Sequence, residues 1–397
     1  MSRPPTPSAA ASLSLVALTL LASPAGAAPR TPDRDAEVLA TVPARSSDPR
    51  AREMAALRAA WRAQPQDEAA AVALAQRYFE QVGAEGDPRY VGYAQAVLQP
   101  WWALPEPPPA VRVLRAKLRQ FDHQFDAALA DLDGALRAQP TLADAWAWRT
   151  AILMVMARYD DARSSCERLA PLVSPLLGAA CRAQVDAVTG RAAPAVATLR
   201  AALQAPGGDA AERLWALTRL AETEERRGAF DAAEAAFRQA LALGVPDVYL
   251  QAAYADFLLD RGRAGDVLAL LKDAGRADVL LLRLALAAHS VGDAQAPRWA
   301  EELAARFEAA RRRGDTTHEK EESRFVLALQ GDAARALALA QQNWAVQREP
   351  ADARALLEAA LAARSAAAAA PVLAWMSASR IESAALQSLA TRLKALS

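Results

Sequence analysis

The segment GAFDAAEAAFRQALALGVP, residues 228–246, decides the fold of this chain. A glycine is followed two positions later by an aromatic residue. Small and bulky apolar residues then recur at the spacing of an amphipathic helix, and a proline ends the stretch. This pattern predicts one helix with a defined start and end. If the pattern recurs, the helices stack into an array whose functional part is an extended surface.

Stretches with the same pattern do recur along the chain. The small residue expected to face the preceding helix occurs in successive copies at Ala128, Ala162, Ala195, Ala233, Val267 and Ala336. The residue four positions later is Leu132, Cys166, Leu199, Phe237, Leu271 and Ala340. Successive copies lie about 34 residues apart, with about twice that spacing before the last one. A repeat of this length predicts a solenoid, in which each unit buries its apolar face against its neighbours.

These residues resemble the tetratricopeptide repeat (TPR) family, whose unit of about 34 residues folds as two antiparallel helices. The best copy places the family's small, turn, aromatic, alanine, bulky and proline positions at Ala221, Gly228, Phe230, Ala233, Phe237 and Pro246. The resemblance is good over residues 110–275 and weaker elsewhere. His123 and Ala157 replace the turn glycine, and Pro194 is expected to interrupt one second helix. The resemblance implies an all-α protein, a right-handed α-solenoid of antiparallel helix pairs that forms a TPR-like superhelix.

The composition is typical of a helical chain and restricts its partners. Hydrophobic residues make up 53% of the 397 residues and aromatic residues only 6%, so alanine and leucine carry most of the apolar content. Both residues favour helices. The 46 basic residues balance 46 acidic ones. Because no basic block is longer than the three arginines at 311–313, we expect no nucleic-acid partner and no attraction to an anionic membrane.

Residues 1–27 have the layout of a secretory signal peptide. Arg3 precedes a short apolar core at residues 11–22, and small residues at Ala25 and Ala27 suit a cleavage site. An apolar core of about 12 residues is too short to span a bilayer, which needs roughly 20. We therefore expect cleavage after Ala27, no membrane span after cleavage, and a periplasmic or secreted protein. An uncleaved anchor is the alternative.

The rest of the chain divides at proline-rich or polar breaks. Residues 28–50 are rich in proline, serine and charge and predict a flexible linker. Divergent N-terminal helices are expected over residues 51–105, and the proline-rich stretch at 99–110 separates them from a TPR-like array at 106–275. Irregular TPR-like helices and a C-terminal capping helix are expected over residues 276–397.

Motifs that would indicate an enzyme are missing from the sequence. The three histidines, His123, His289 and His318, are far apart, and the HEKEE stretch at 318–322 lacks the second histidine of a metal-binding helix. No glycine-rich phosphate loop, nucleophile elbow or CxxC pair occurs. We therefore expect no catalytic residue, no cofactor and no bound metal.

The two cysteines are predicted to meet across a helical hairpin. Cys166 lies late in one second helix and Cys181 early in the following first helix, at similar distances from the turn between them. In an oxidising compartment a disulfide would close a loop of about 15 residues and stabilise the fold by up to about 3 kcal/mol. Two small buried thiols that fill core positions are the alternative.

The TPR resemblance implies binding on the concave face, which the first helix of each pair lines. In this register that face carries Lys117, Gln120, Asp144, Gln184, Trp215, Thr218, Glu222, Tyr249 and Asp256. Such a mixture of aromatic and polar groups can hold an apolar side chain and hydrogen-bond a peptide backbone. It lacks the repeated lysine and asparagine set with which some family members hold a C-terminal carboxylate.

The sequence therefore predicts a non-enzymatic periplasmic scaffold that binds a partner protein or peptide. A role in assembling an envelope complex is a more specific form of this hypothesis. The alternative is a metal-dependent or hydrolytic accessory enzyme, built where residues 51–105 meet the polar break at 311–323.

Overall fold

Alanine- and leucine-rich segments form α-helices throughout residues 49–396, the part of the chain that this structure, a computed structural model, describes. The first ten are α1 Pro49–Ala63, α2 Glu68–Glu85, α3 Arg89–Trp102, α4 Pro109–Phe121, α5 Phe125–Ala138, α6 Ala143–Val155, α7 Tyr159–Leu169, α8 Pro175–Val188, α9 Ala192–Gln204 and α10 Ala210–Arg226. The next ten are α11 Phe230–Ala242, α12 Val248–Asp260, α13 Ala264–Leu270, α14 Asp278–Val291, α15 Ala296–Arg312, α16 Glu319–Phe325, α17 Ala333–Val346, α18 Pro350–Ala362, α19 Ala370–Ser379 and α20 Ala384–Lys394. No strand occurs between residues 49 and 396.

A residue in the left-handed backbone region follows the first helix of each helical pair. These residues are Gly86, His123, Ala157, Gly190, Gly228, Gly262, Gly292, Gly331 and Arg364. At Gly228, where φ is 80°, glycine is favoured because it has no Cβ to clash in this conformation. His123 and Ala157 adopt the same conformation at a cost of about 1–2 kcal/mol each. The turn is therefore preserved at these two positions, although neither residue is a glycine.

The repeat positions found in the sequence are buried at the helix crossings. Ala128, Ala162, Ala195, Ala233, Val267 and Ala336 are all 0% exposed. Leu132, Cys166, Leu199 and Phe237, each four positions further on, are also 0% exposed. Alanine lets two helix backbones approach closely, and the larger residue one turn later fills the space beside the crossing. The predicted repeat is thus confirmed as a packing pattern.

Consecutive helices pack as antiparallel pairs, from α2 with α3 to α16 with α17. The first helix of one pair also contacts the first helix of the next, as α10 contacts α12 and α12 contacts α14. The first helices therefore form one continuous inner layer. This arrangement confirms the predicted all-α solenoid of antiparallel helix pairs.

The predicted breaks fall between helices. Residues 103–108 connect α3 to α4, and the polar break at 311–323 contains the end of α15 and the start of α16. Pro194 lies in the first turn of α9, where a missing backbone N–H is tolerated. The expected interruption of this helix is therefore wrong.

The N-terminal predictions concern residues that are mostly not described. The expected signal peptide, 1–27, and residues 28–48 of the expected linker lie outside the described range, and α1 begins at Pro49. In the part of the chain from residue 49 to 396, no helix is both long enough and apolar enough to cross a membrane.

The C-terminal helices pack against the early helical pairs, so the array closes on itself. Trp375 on α19 donates from Nε1 to the hydroxyl of Tyr159 on α7 at 2.9 Å. The carboxylate of Glu382 accepts from the backbone N–H of Ala192 at 3.1 Å. One apolar cluster combines buried residues of α4–α8 with buried residues of α14–α20. The inner face therefore surrounds a partly open cavity.

The hairpin of α7 and α8 joins the two cysteines. Cys166 and Cys181 form a disulfide whose Cα atoms lie 5.6 Å apart, and both side chains are buried. Of the two alternatives that the sequence left open, the structure contains the disulfide.

Gly86→Ala is expected to destabilise the chain more than Gly244→Ala. Both glycines have φ +67°, so alanine costs about 1–2 kcal/mol at either position. A Cβ at Gly86 would also lie 2.5 Å from the Cβ of Ala277, whereas a Cβ at Gly244 meets nothing within 4 Å. We expect a further loss of about 1–3 kcal/mol for Gly86→Ala in urea denaturation. If the two variants lost the same free energy of unfolding, the result would show that α2 does not pack against Ala277.

Removing the disulfide is expected to lower the free energy of unfolding by up to about 3 kcal/mol, since the bond closes a loop between residues 15 positions apart. The measurement is urea denaturation of the wild type and of a Cys166→Ala/Cys181→Ala double variant, each with and without reductant. Reductant should lower the free energy of unfolding of the wild type and leave that of the double variant unchanged. Mass spectrometry of unreduced protein should show the two cysteine-containing peptides joined, and two free thiols would contradict the disulfide.

Candidate binding cavity

The first helices of the later pairs surround a cavity of about 690 Å³. Helices α10, α12, α14, α16 and α18 supply most of its wall, because each presents its inner face to the cavity. Other helices supply the rest of the wall, among them α2, α7, α8 and α20. The volume lies within the range of about 300–1,000 Å³ that is typical of ligand sites.

Four of the residues predicted to contact a partner line this cavity. They are Gln184, Glu222, Tyr249 and Asp256. They belong to α8, α10 and α12, so consecutive first helices bring them together. Tyr249 is 51% exposed, which leaves much of its ring available to a bound molecule. That these residues contact a partner stays a prediction.

The other five predicted contact residues do not line the cavity. They are Lys117, Gln120, Asp144, Trp215 and Thr218. Lys117 is buried because α2 covers it, and its ammonium binds Gln76 at 2.9 Å and Asp144 at 2.5 Å. Thr218 is 2% exposed and donates to a backbone carbonyl of its own helix. Trp215 packs between two apolar clusters. Lys117, Thr218 and Trp215 therefore contribute mainly to packing.

Ion pairs between first helices hold the wall together. Asp256 on α12 binds Arg283 on α14 at 2.6 Å and Arg324 on α16 at 2.8 Å. Asp260, one turn later, accepts from Arg354 on α18 at 2.7 Å. Burial disfavours the charged form of Asp256, but the two guanidinium groups outweigh burial and hold its pKa below the usual range. The predicted contact residue Asp256 is thus also a link between three helices.

A second polar group, on α10 and α12, has its charges paired within the described chain, although Nε of Arg219 has no acceptor there. Arg219 pairs with Glu222 at 3.1 Å and lies over the ring of Tyr249, 4.6 Å from its centroid. The Tyr249 hydroxyl donates to Glu222. Because the charges of Arg219 and Glu222 cancel, this part of the wall offers aromatic and polar surface without net charge.

Other charged residues line the cavity without an ion-pair partner in the described part of the chain. They include Arg226, Arg348, Glu225 and Glu349. Burial and nearby carboxylates raise the pKa of Glu225 to about 8. Burial and a nearby carboxylate raise the pKa of Glu349 to about 7. At neutral pH these glutamates are largely or partly protonated, whereas arginines stay charged. The part of the wall that these residues form therefore carries a net positive charge.

Three residues that line the cavity were not predicted from the sequence as site residues: Arg219, Arg226 and Tyr159. The two arginines share a face of α10 with the predicted Glu222, so helical periodicity starting from Glu222 could have found them. No sequence signal places Tyr159 in this wall, because a contact with the distant Trp375 brings α19 and α7 together.

The segments named in the enzyme alternative do meet at the cavity. Val82 and Gly86 from the divergent helices line it, as do His318 and Lys320 from the polar break. Lys320 lies 3.6 Å from the Asp352 carboxylate, which neutralises it. Among residues 49–396, no group of three or more His, Cys, Asp or Glu residues is placed to hold a metal ion. These segments therefore contribute charged residues to the cavity wall. In the described part of the chain they do not contribute a set of metal ligands.

Comparisons with known proteins find similar solved structures. No family model and no curated protein matches the chain. PilW, a widely conserved type IV pilus biogenesis factor, is 20% identical with a TM-score of 0.40, over 50% of this chain and 94% of PilW. The APC/C hetero-tetramer Cut9–Hcn1 is 14% identical with a TM-score of 0.47, over 83% of this chain and 63% of the matched chain. The TPR domain of P58(IPK) is 13% identical with a TM-score of 0.20, over 80% of this chain and 95% of that domain.

The class of protein follows from the geometry of the chain itself. Antiparallel helix pairs, a left-handed residue after each first helix and alanines at the crossings define a TPR-like helical-repeat fold. The resemblance found in the sequence is thus confirmed at the level of the fold. The similarities to solved structures are too weak to assign a function or a partner to this chain.

Glu225→Gln is expected to make stability less dependent on pH. The pKa of Glu225 is about 8 in the folded chain against an ordinary value of 4.5, so between these values the folded state binds more protons than the unfolded state. The free energy of unfolding therefore falls as pH rises through this window, by at most about 1.4 kcal/mol per pH unit for this group.

The measurement is urea denaturation at about pH 6 and about pH 8.5, on either side of the folded pKa. Glu225→Gln should lose less stability than the wild type between the two. Glu167→Gln, at an exposed glutamate outside the cavity, is the matched control and should behave as the wild type. An unchanged pH dependence in Glu225→Gln would show that Glu225 ionises normally.

Proposed function

We propose that this chain is an exported, non-enzymatic scaffold that binds a short extended segment of a partner protein in the cavity between its first helices. One observation carries the proposal: the first helices converge on a partly open cavity of about 690 Å³. This size is typical of a binding site. It is too small for a folded domain, so the closed array favours a peptide segment over a whole protein surface.

The wall offers what an extended peptide needs. Val248, Ala252 and Ala253 form an apolar strip on α12, against which a peptide side chain can pack. Gln184 supplies an amide donor and acceptor for a peptide backbone. The ring of Tyr249 adds apolar area with little entropy to lose, because Arg219 and Glu222 already hold it.

The periplasmic location is part of the proposal. The signal-peptide layout of residues 1–27 supports it, and so does the joining of Cys166 to Cys181, because structural disulfides persist in oxidising compartments. The partner would then be a protein of the same compartment. Assembly of an envelope complex is a more specific form of this proposal.

Ala252→Trp is expected to weaken peptide binding by occupying part of the cavity. The test pans a phage-displayed library of random decapeptides against the purified full-length chain and measures the affinity of an enriched synthetic peptide by fluorescence anisotropy. We expect Ala252→Trp to weaken this peptide at least about tenfold, which corresponds to about 1.4 kcal/mol.

Ala201→Trp is the matched control, because Ala201 on α9 is exposed and lies outside the cavity. It should bind the peptide as the wild type does. Failure to enrich any peptide, or wild-type affinity in Ala252→Trp, would refute binding in the cavity.

A further inference from the structure

Arg226, the last residue of α10, is partly buried and makes few hydrogen bonds for a guanidinium group that lines a cavity. Its Nη2 donates to Oγ1 of Thr223 at 3.2 Å. Its Nε is buried without an acceptor, and no carboxylate lies within ion-pair distance of it among residues 49–396. Since a guanidinium group carries five N–H donors, most of those of Arg226 have no partner in this part of the chain.

Arg219, two turns earlier on the same face of α10, differs from Arg226 in having a carboxylate partner, although its own Nε also lacks an acceptor. Arg219 pairs with Glu222 and lies over the ring of Tyr249. A charge removed from water without a partner costs several kcal/mol. Burial lowers the pKa of Arg226 and outweighs the opposing effect of the nearby Glu222 carboxylate. The wall is thus complementary to an anion at Arg226.

Two further donors belong to the same part of the cavity. Tyr159 accepts a hydrogen bond from Trp375, so its own hydroxyl proton has no acceptor in the described chain. Arg348 also lines the cavity; it is an exposed residue, and its side chain has no partner between residues 49 and 396. Burial raises the pKa of Tyr159 to about 12, although Arg226 and Arg348 lie close enough to oppose this rise. The hydroxyl therefore keeps its proton and can donate it.

The neighbouring carboxyl groups do not complete this site. Glu225 is next to Arg226 in the chain, but at its raised pKa it is largely protonated at neutral pH. A protonated carboxyl group is a hydrogen-bond donor and no counter-ion. Glu349 is only partly ionised there, because burial raises its pKa to about 7. Glu222, one turn before Arg226, is already paired with Arg219. A negative charge from outside the chain would therefore complete the site.

We propose that Arg226, Tyr159 and Arg348 form a subsite for a carboxylate of the bound peptide. This inference rests on the proposed function and adds the chemistry of the ligand, an acidic segment. A carboxylate can accept two N–H bonds from a guanidinium group and a third bond from a hydroxyl, and it supplies the missing negative charge. An amide would leave Arg226 without a counter-ion, and an ammonium group would be repelled.

The first test examines the peptides that the wild type enriches. They are expected to share aspartate or glutamate at one position, and changing that residue to its amide should weaken binding at least about tenfold in fluorescence anisotropy. A peptide with a neutral residue at that position and a free C-terminal carboxylate shows whether a chain end can replace the acidic side chain. If this peptide binds tenfold more tightly than the same peptide with an amidated C-terminus, the result also supports the subsite. Enriched peptides that bind equally well without any carboxylate would overturn the inference and leave the proposed function intact.

The second test changes the subsite. Arg226→Gln should weaken the acidic peptide about tenfold or more and leave its amide version unchanged. Arg298→Gln, at an exposed arginine outside the cavity, is the matched control. It should leave the affinity for both the acidic peptide and its amide version unchanged. Arg226→Gln should also raise the melting temperature of the unliganded chain, because it removes an uncompensated charge, whereas loss of a purely structural arginine would lower it. Unchanged acidic-peptide binding in Arg226→Gln would overturn the inference.

If no peptide is enriched, the proposed function fails and glutarate alone tests the subsite. Glutarate should raise the melting temperature of the wild type above that in sodium chloride of equal ionic strength, and should not do so for Arg226→Gln. An equal effect on both proteins, or none on either, would overturn the subsite.

Discussion

Alanine at the crossing of paired helices is the constraint on which the rest of this structure depends. The small side chains of Ala128, Ala162, Ala195 and Ala233 are fully buried and let neighbouring helix backbones approach closely. Because each unit uses the same contact, consecutive units stack in the same way and their first helices share one layer. A left-handed residue after each first helix maintains this arrangement, whether it is Gly228 or His123. The inner face is therefore a consequence of core packing.

Closure of the array changes what the inner face does. Contacts between helices that are distant in sequence, such as that between Trp375 and Tyr159, convert the face of a solenoid into the wall of a cavity. Inside, charges need partners because water is partly excluded. Asp256 has two guanidinium partners, whereas Arg226 has no carboxylate partner in the described chain. This unequal compensation, rather than the overall charge of the chain, gives the cavity its preference for an anion.

The sequence predicts the fold well and the candidate site in part, and the difference has a physical origin. Periodicity shows which residues share a helix face, and Glu222 and Tyr249 were found in this way. Periodicity does not show what covers that face. Lys117 was predicted to be accessible but is buried under α2, and Tyr159 was not predicted at all.

By itself, the sequence determined the helix pairs, their turns and the residues at the crossings, because these depend on contacts within about one repeat length. Only the tertiary structure decided that the inner face is a cavity and which of its charges remain unpaired. Burial and charge compensation depend on every group packed nearby, and at Asp260 and Arg354 the interacting groups are 94 residues apart. No pattern local to α10 therefore reveals that Arg219 has a carboxylate partner while Arg226 has none within the described chain.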